Sequence, residues 1–400
     1  MNLLMLSNDE ALLDDQSRAA ARHRSYAERL GELHVVLACR EEPLGEIRGR
    51  LTIHPAVGKL RSVRWLRMLF AGALLCAVDR PDMISVQDPE YLGLIGLLLS
   101  TTFRLPLHVQ VHTDVMNPRY LGSPIRTRLR RRLVRSTLNH ASRIRTVSQR
   151  SARSIQSKLG IEADHLQVLP IYTDVQEFKA GEPVEAIERR LKPYSVRMVS
   201  VGRSDDHEKG QSALIDAFAD VLEVIPDAGL MLVGAGPDRA RYERMAGSLG
   251  MSGRILFEDW RSDLPSVLKS FDIYVQVSNY EGWGRTYVEA AAAGLPLIVT
   301  DVGLVGEIFV PGEDVLVVPI GDRDALASAM IGLALDPDRR AALSLAGMRA
   351  LRRLPHITWD DYCRDYVEGL QSCIGEQAGN GGQDLSPVPV DRNPHVDRMT

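Results

Sequence analysis

Ser278-Asn-Tyr-Glu281-Gly-Trp-Gly284-Arg-Thr-Tyr-Val-Glu289-Ala-Ala-Ala-Ala-Gly294-Leu-Pro296 is the stretch from which the fold is read. Two glutamates stand eight residues apart with glycines between them, and 285–293 is rich in helix formers. The apolar run 271–277 before it reads as a buried strand, and 297–300 after it as another. Strand, glycine turn, helix and strand aim unpaired backbone N–H groups and the positive end of a helix at one spot, which suits a phosphate. Glu281 stands at the mouth of that spot. Glu289, two turns into the helix, is expected on a similar face. A carboxylate there would repel an anion, so it suits the hydroxyls of a sugar or ribose better. A helix cap plus a surface glutamate would give the same spacing.

Outward from this stretch the chain alternates strand and helix. Strands are expected at 3–6, 33–38, 83–86, 107–111, 144–147 and 167–169, then at 196–201, 230–233, 255–257, 273–277, 297–300 and 315–318. Helices fall between them, at 16–30, 63–78, 91–101, 211–224, 238–248 and 264–270 among others. Alternating βα units with apolar strands imply parallel sheets covered on both faces. Four hundred residues are too many for one compact core and fit two domains. The expected fold is therefore α/β: two Rossmann-like, doubly wound domains facing a cleft. Residues 1–178 form the first, 179–195 a linker with Pro183 and Pro193, and 196–357 the second. Residues 358–375 form a last helix, and 376–400 a disordered tail poor in large apolar residues.

An apolar content of 45% and a charged content of 25% are those of a soluble globular protein. Cys39, Cys76, Cys363 and Cys373 are scattered, with neither metal spacing nor a disulfide framework, and a reducing cytoplasm fits them. No signal peptide is expected, because Asp9 and Glu10 follow the short run at 3–6. The longest uncharged apolar stretch, 91–103, is shorter than the ~20 residues a membrane span needs. Charge is uneven: residues 1–180 carry a net +8 and residues 181–400 a net −12, which suggests different partners for the two halves.

The Glu281, Glu289, Gly294, Leu295 and Pro296 pattern resembles glycosyltransferase family 4, the retaining nucleotide-sugar enzymes of the GT-B fold. Val201-Gly202-Arg203 with Lys209-Gly210 is similar to its phosphate-gripping pair. Gly234-Ala-Gly236-Pro237 resembles its Gly-x-Gly-Pro turn, 111–114 its first-domain histidine strand end, and Thr358-Trp359 the start of its final helix. The chain departs from the pattern in places. Five residues separate Arg203 from Lys209 where four are usual, and Asn8-Asp-Glu10 lacks the expected glycines after the first strand.

The resemblance implies a hexosyltransferase (the EC 2.4 class) that moves a hexose from a UDP- or GDP-linked donor to a glycan or lipid-linked acceptor, with retention and no cofactor or bound metal. The work would be synthesis of a surface polysaccharide or glycoconjugate. The acidic second domain would carry the donor, the basic first domain the acceptor, and the last helix would cross back to the first domain. Donor-binding residues would be Gly202, Arg203, Lys209, Gly234, Trp260, Glu281, Gly282, Gly284, Arg285, Thr286 and Glu289. His112, Glu281, Arg203 and Lys209 would be catalytic. Departure of a diphosphate needs cationic stabilisation, and an Arg fork plus a Lys point charge supply it without metal. The diphosphate itself would take the acceptor proton. Asp205-Asp206-His207-Glu208 between them reads as a solvated loop, since a divalent ion needs more convergent oxygens. Trp260 either meets the base or covers the core edge.

In 125–138, Ile125, Leu129 and Leu133 form an apolar stripe, and Arg128, Arg131, Arg132 and Arg135 cluster on another face. That face is a solvated one or a peripheral contact with anionic membrane at the inner leaflet. No motif points to nucleic acid. A binding protein with a lapsed donor site, or a GT-B relative such as an epimerase, are the alternative readings. A phosphorylase would need a cofactor lysine site, which the sequence does not offer.

Overall fold

The computed structural model describes residues 1–41, 49–121, 124–356 and 358–379. Asn2–Ser7 (β1), Glu32–Cys39 (β2), Leu51–Val57 (β3), Met83–Val86 (β4), Leu107–Val111 (β5), Arg143–Thr146 (β6) and Leu166–Val168 (β7) form one sheet, ordered β3-β2-β1-β4-β5-β6-β7. Arg197–Val201 (β8), Gly229–Val233 (β9), Ile255–Glu258 (β10), Ile273–Gln276 (β11), Leu297–Thr300 (β12) and Leu316–Val318 (β13) form the other, ordered β10-β9-β8-β11-β12-β13. Every pairing is parallel. Both sheets reverse direction beside their first strand, between β1 and β4 and between β8 and β11. In open α/β sheets that switch point is where ligands bind, beyond the carboxyl ends of the strands.

The first sheet is flanked by Arg18–Leu30 (α1), Arg61–Val78 (α2), Tyr91–Phe103 (α3), Pro118–Leu121 (α4), Pro124–Asn139 (α5) and Gln149–Leu159 (α6). Val175–Lys179 (α7) and Glu185–Leu191 (α8) lead to the second sheet. There Asp206–Lys209 (α9), Gln211–Val224 (α10), Arg239–Ser248 (α11), Leu264–Leu268 (α12), Arg285–Ala293 (α13), Arg323–Leu335 (α14) and Pro337–Ala350 (α15) follow. Trp359–Gly379 (α16) ends the described chain. Leu3, Leu4, Met5 and Leu6 in β1 are all fully buried, as a strand covered on both faces requires.

Three segments differ from the sequence reading. The strand β3 was not among those expected, because Pro55 lies in it; β3 is an edge strand, where a missing N–H is tolerated. The expected linker is packed: Ile187 and Leu191 of α8 and then Tyr194 bury with Phe271 and Tyr274 of the second domain. The last helix continues to Gly379, four residues into the expected tail, and 380–400 lie outside the described residues. Tyr362, Tyr366 and Leu370 of α16 pack with Tyr26, Leu30 and Leu33 of the first domain. Beneath them the buried Arg145 guanidinium donates to Gln110 Oε1 (2.9 Å) and Tyr362 Oη (2.8 Å) and sits over the Tyr362 and Tyr366 rings.

Candidate functional site

Two loops leave the second sheet at its switch point. One follows β8 with Gly202 and Arg203; the other follows β11 with Ser278, Tyr280 and Glu281. A line of hydrogen bonds ties them. Ser200 Oγ donates to Gln276 Oε1 (2.9 Å), Gln276 Nε2 to Ser278 Oγ (3.0 Å), and Ser278 Oγ to Glu281 Oε1 (2.9 Å). Lys209 Nζ closes the line on the same Glu281 oxygen at 2.6 Å and also lies 2.9 Å from Glu208. Burial opposes the Lys209 charge, but the Glu281 and Glu208 carboxylates more than offset it and raise its pKa above the ordinary lysine value. Lys209 is thus a charged ammonium at any physiological pH.

The loop between Arg203 and Lys209 folds into the single turn α9, which brings Lys209 to Glu281 despite the extra residue. Its carboxylates are engaged locally. Asp206 accepts from Ser212 and Tyr242, and Asp205 lies 3.1 Å from Arg203, whose side chain is otherwise 63% exposed. Two glycines let backbone meet backbone here. A Cβ on Gly234 would stand 2.1 Å from the Gly202 carbonyl oxygen, and one on Gly210 2.6 Å from that of Val277. Gly234 therefore packs the β9 turn against the Arg203 loop.

Gly284 precedes α13 with a φ of +88°, open to glycine at little cost. The first turn of α13 carries the unpaired N–H groups and positive dipole end of any helix start. Thr286 Oγ1 accepts from Tyr274 Oη at 2.8 Å, so the buried tyrosine fixes that turn. Arg285 Nε lies 2.8 Å from Glu289 Oε1, one turn on. Glu289 is 2% exposed, and its Oε2 has no hydrogen-bond partner. Burial raises its pKa, with Arg285 opposing. It borders a cavity of about 400 Å3 together with Arg18, Arg22, Asp174, Glu177 and Arg285.

Glu281 borders a different cavity, of about 370 Å3, with Asp114, Asn117, Arg150, Arg153 and Gly303. The two glutamates do not share a face as expected. Glu281 precedes the helix, so the 3.6-residue period does not relate them. The arginines of α6 were not among the expected site residues. Arg150 donates to the Asp301 and Val305 carbonyls across the domain boundary. Ser148 caps α6 directly after β6, so these arginines begin at a strand's carboxyl end; that signal was available in the sequence.

His112 directly follows β5 and is exposed. The enclosing protein, then the charges of Arg145 and Arg22, lower its pKa, which leaves the imidazole neutral at pH 7. Gly282 meets it from the other domain: a Cβ there would lie 1.9 Å from the His112 carbonyl oxygen. A second bridge runs through aromatic edges. Tyr120 of α4 meets Tyr280 at 5.4 Å, Tyr280 meets His207 at 5.6 Å, and Tyr120 Oη donates to Glu90, which Arg130 also grips.

Trp260 is 76% exposed in the turn after β10, so it does not cover the core edge. On α5 the buried positions are Val134, Thr137 and Leu138, and Leu133 of the expected apolar stripe is half-buried. Leu129, expected in the inward stripe, is 61% exposed, and the side chain of Ile125 lies outside the described residues. Arg128, Arg131, Arg132 and Arg135 line a groove of about 480 Å3 with Met116, Pro118, Lys158 and Leu159.

This geometry has counterparts. The family model described as "Glycosyl transferases group 1" matches residues 188–349, and that described as "Glycosyl transferase 4-like domain" matches 18–171. Together they take in more than three quarters of the chain. The chain belongs to the group 1 glycosyltransferases, of family 4 type. Within that family it is 34% identical over 154 residues to a phosphatidyl-myo-inositol mannosyltransferase of Mycobacterium leprae, covering 38% of this chain and 41% of the relative. It is 28% identical over 321 residues to the MMP alpha-(1->4)-mannosyltransferase of Mycolicibacterium hassiacum, covering 77% and 75%. A GDP-mannose-dependent monoacylated alpha-(1-6)-phosphatidylinositol monomannoside mannosyltransferase of Corynebacterium glutamicum matches at 30% over 50% of this chain and 55% of its own. The chain thus spans about half the length of the first and last of these relatives. Among solved structures, sucrose-phosphate synthase from Thermosynechococcus elongatus aligns with a TM-score of 0.75 at 20% identity, over 94% of this chain and 100% of that one. The fold is GT-B.

Proposed function

We propose that this chain is a retaining hexosyltransferase that uses a nucleoside-diphosphate sugar and a glycan or lipid-linked acceptor. The observation that carries the reading is Lys209 Nζ held 2.6 Å from Glu281 beside the start of α13. An incoming diphosphate would meet a fully charged lysine, the exposed Arg203 fork and the helix dipole together. Glu281, released from Lys209, would accept hydroxyls of the transferred sugar. The unpartnered Oε2 of Glu289 would accept a ribose hydroxyl, and the exposed Trp260 face would meet the base. The anomeric C–O bond to the diphosphate breaks, and the acceptor oxygen bonds to that carbon from the same face. The departing diphosphate oxygen takes the hydroxyl proton. The neutral His112 would orient the hydroxyl.

GDP-mannose is the first donor to test, since the names of two relatives specify it. Those names also specify phosphatidylinositol-based acceptors, and we place an anionic membrane surface against the basic first domain. Among the described residues no helix is long and apolar enough to cross a membrane. Incubation with GDP-mannose, UDP-glucose and lipid extracts tests the reading. Release of nucleoside diphosphate with a new α-linked product supports it, and no release from any donor overturns it.

A further inference from the structure

The outward face of α2 is the wrong polarity for a helix in water. Between residues 63 and 78 the outward positions are Val63, Leu66, Arg67, Phe70, Leu74, Ala77 and Val78, with a single charge among them. Leu66, Phe70, Leu74 and Val78 are 55%, 66%, 65% and 68% exposed. A helix covering a sheet ordinarily turns charged residues outward, and a contiguous exposed apolar ridge marks a contact surface. The neighbouring α3 extends it. A Cβ on Gly72 would stand 2.6 Å from Leu99 Cδ1, so the two helices lie close, and α3 shows Leu94 and Leu98 outward with no charged residue along its length.

The surroundings say what covers this ridge. Lys59, Arg61 and Arg67 are exposed at its start, and no acidic residue occurs from 59 to 78. The helix α5 packs beside α3, as same-handed crossovers between neighbouring parallel strands require, and adds exposed Arg128, Arg131, Arg132 and Arg135. A second copy of this chain would bring like charges together. An anionic lipid surface complements both the ridge and its rim.

We infer that the α2–α3 ridge seats in the acyl boundary of an anionic bilayer, with the arginines of α2 and α5 at headgroup level. The inference rests on the lipid-linked acceptor reading above and deepens it. The helices α2 and α3 each follow a strand and so start at the sheet's carboxyl edge, where the cleft lies. Arg61 and Arg67 in the first two turns of α2 therefore set the cleft mouth near the lipid headgroups, and the ridge fixes depth.

The test is flotation of the full chain with phosphatidylcholine vesicles with and without phosphatidylglycerol, beside the Leu66→Ser/Phe70→Ser/Leu74→Ser variant. These side chains are exposed, so the thermal shift produced by GDP or UDP should match in the two proteins. We expect the native chain to float with anionic vesicles at low salt and the variant to lose at least about tenfold of that binding. A Phe70→Trp variant should be quenched by lipids brominated on the acyl chains. Native chain left unbound, a variant that binds as well as native, or a native dimer abolished by the variant without vesicle binding would each overturn the inference. Vesicle binding of the expected pattern with no sugar transfer would leave the ridge standing and remove the transferase reading. Transfer to soluble acceptors without vesicle binding would do the reverse.

Discussion

Gly282 and the carbonyl of His112 touch so closely that a Cβ on Gly282 would lie 1.9 Å from that oxygen. The donor-side turn of the second domain therefore meets the acceptor-side strand end of the first, backbone to backbone. Gly282→Ala should force the domains apart. Because Lys209 and α13 belong to the second domain alone, nucleoside diphosphate affinity should stay within about threefold. Turnover should fall by roughly 100-fold, the cost of a ~1 Å misplacement of reacting groups. Steady-state kinetics beside calorimetry checks the split, and equal losses in both would reject it.

Glu289 borders the cavity shared with Arg18 and Asp174 and leaves one buried oxygen unpartnered. If a ribose hydroxyl fills that role, Glu289→Ala should weaken nucleoside diphosphate binding by ~1.5–3 kcal/mol, the range for hydrogen bonds to a charged group. Unchanged calorimetric affinity would place the ribose elsewhere.

The same residue predicts a pH effect. Burial raises its folded pKa above the ordinary 4.5. Below 4.5 both folded and unfolded states are protonated. As pH rises through 4.5 the unfolded chain releases its proton first, so the folded state binds more protons and loses stability until its own, higher pKa is passed. Glu289→Gln removes that loss. Its melting temperature relative to the native chain should therefore rise between pH 4 and pH 7; a flat difference would show that the carboxylate is not penalised by its surroundings.

Glu281 accepts a hydrogen bond from Lys209 Nζ at 2.6 Å. Glu281→Gln should leave GDP and UDP affinity intact or slightly tighter, because the lysine is released. Turnover should drop by roughly 10²–10³, as when one preorganised contact is removed. A parallel loss of nucleotide affinity would assign Glu281 to the nucleotide.

Electrostatic stabilisation by Arg203, Lys209 and α13 predicts turnover that persists in excess EDTA. Complete loss restored by magnesium or manganese would contradict it.

The parallel sheets were legible because buried strands read as apolar runs, such as Leu3 to Leu6, and helices as longer amphipathic ones. The strand β3 was hidden by Pro55, which an edge strand tolerates. The motif at Glu281–Glu289 located the site, but periodicity misaligned the two glutamates, since the turn at Gly282 and Gly284 breaks the helical register between them. What the sequence could not display was contact between domains. Gly282 on His112 and Tyr280 on Tyr120 join residues more than 150 positions apart, and nothing local in either segment announces the partner. Nor did the pattern of α2 reveal an exposed ridge. Its apolar residues suit a buried helix equally well, and only packing decides which of them face out.

Titration of GDP and UDP into the native chain and into the Arg203→Gln/Lys209→Met variant by isothermal calorimetry tests the central claim most directly. The account predicts binding of at least one nucleoside diphosphate by the native chain and a loss of about 100-fold or more in the variant, with melting temperatures within a few degrees. No binding of either nucleotide, or equal binding by both proteins, would contradict a diphosphate site at Arg203, Lys209 and the start of α13.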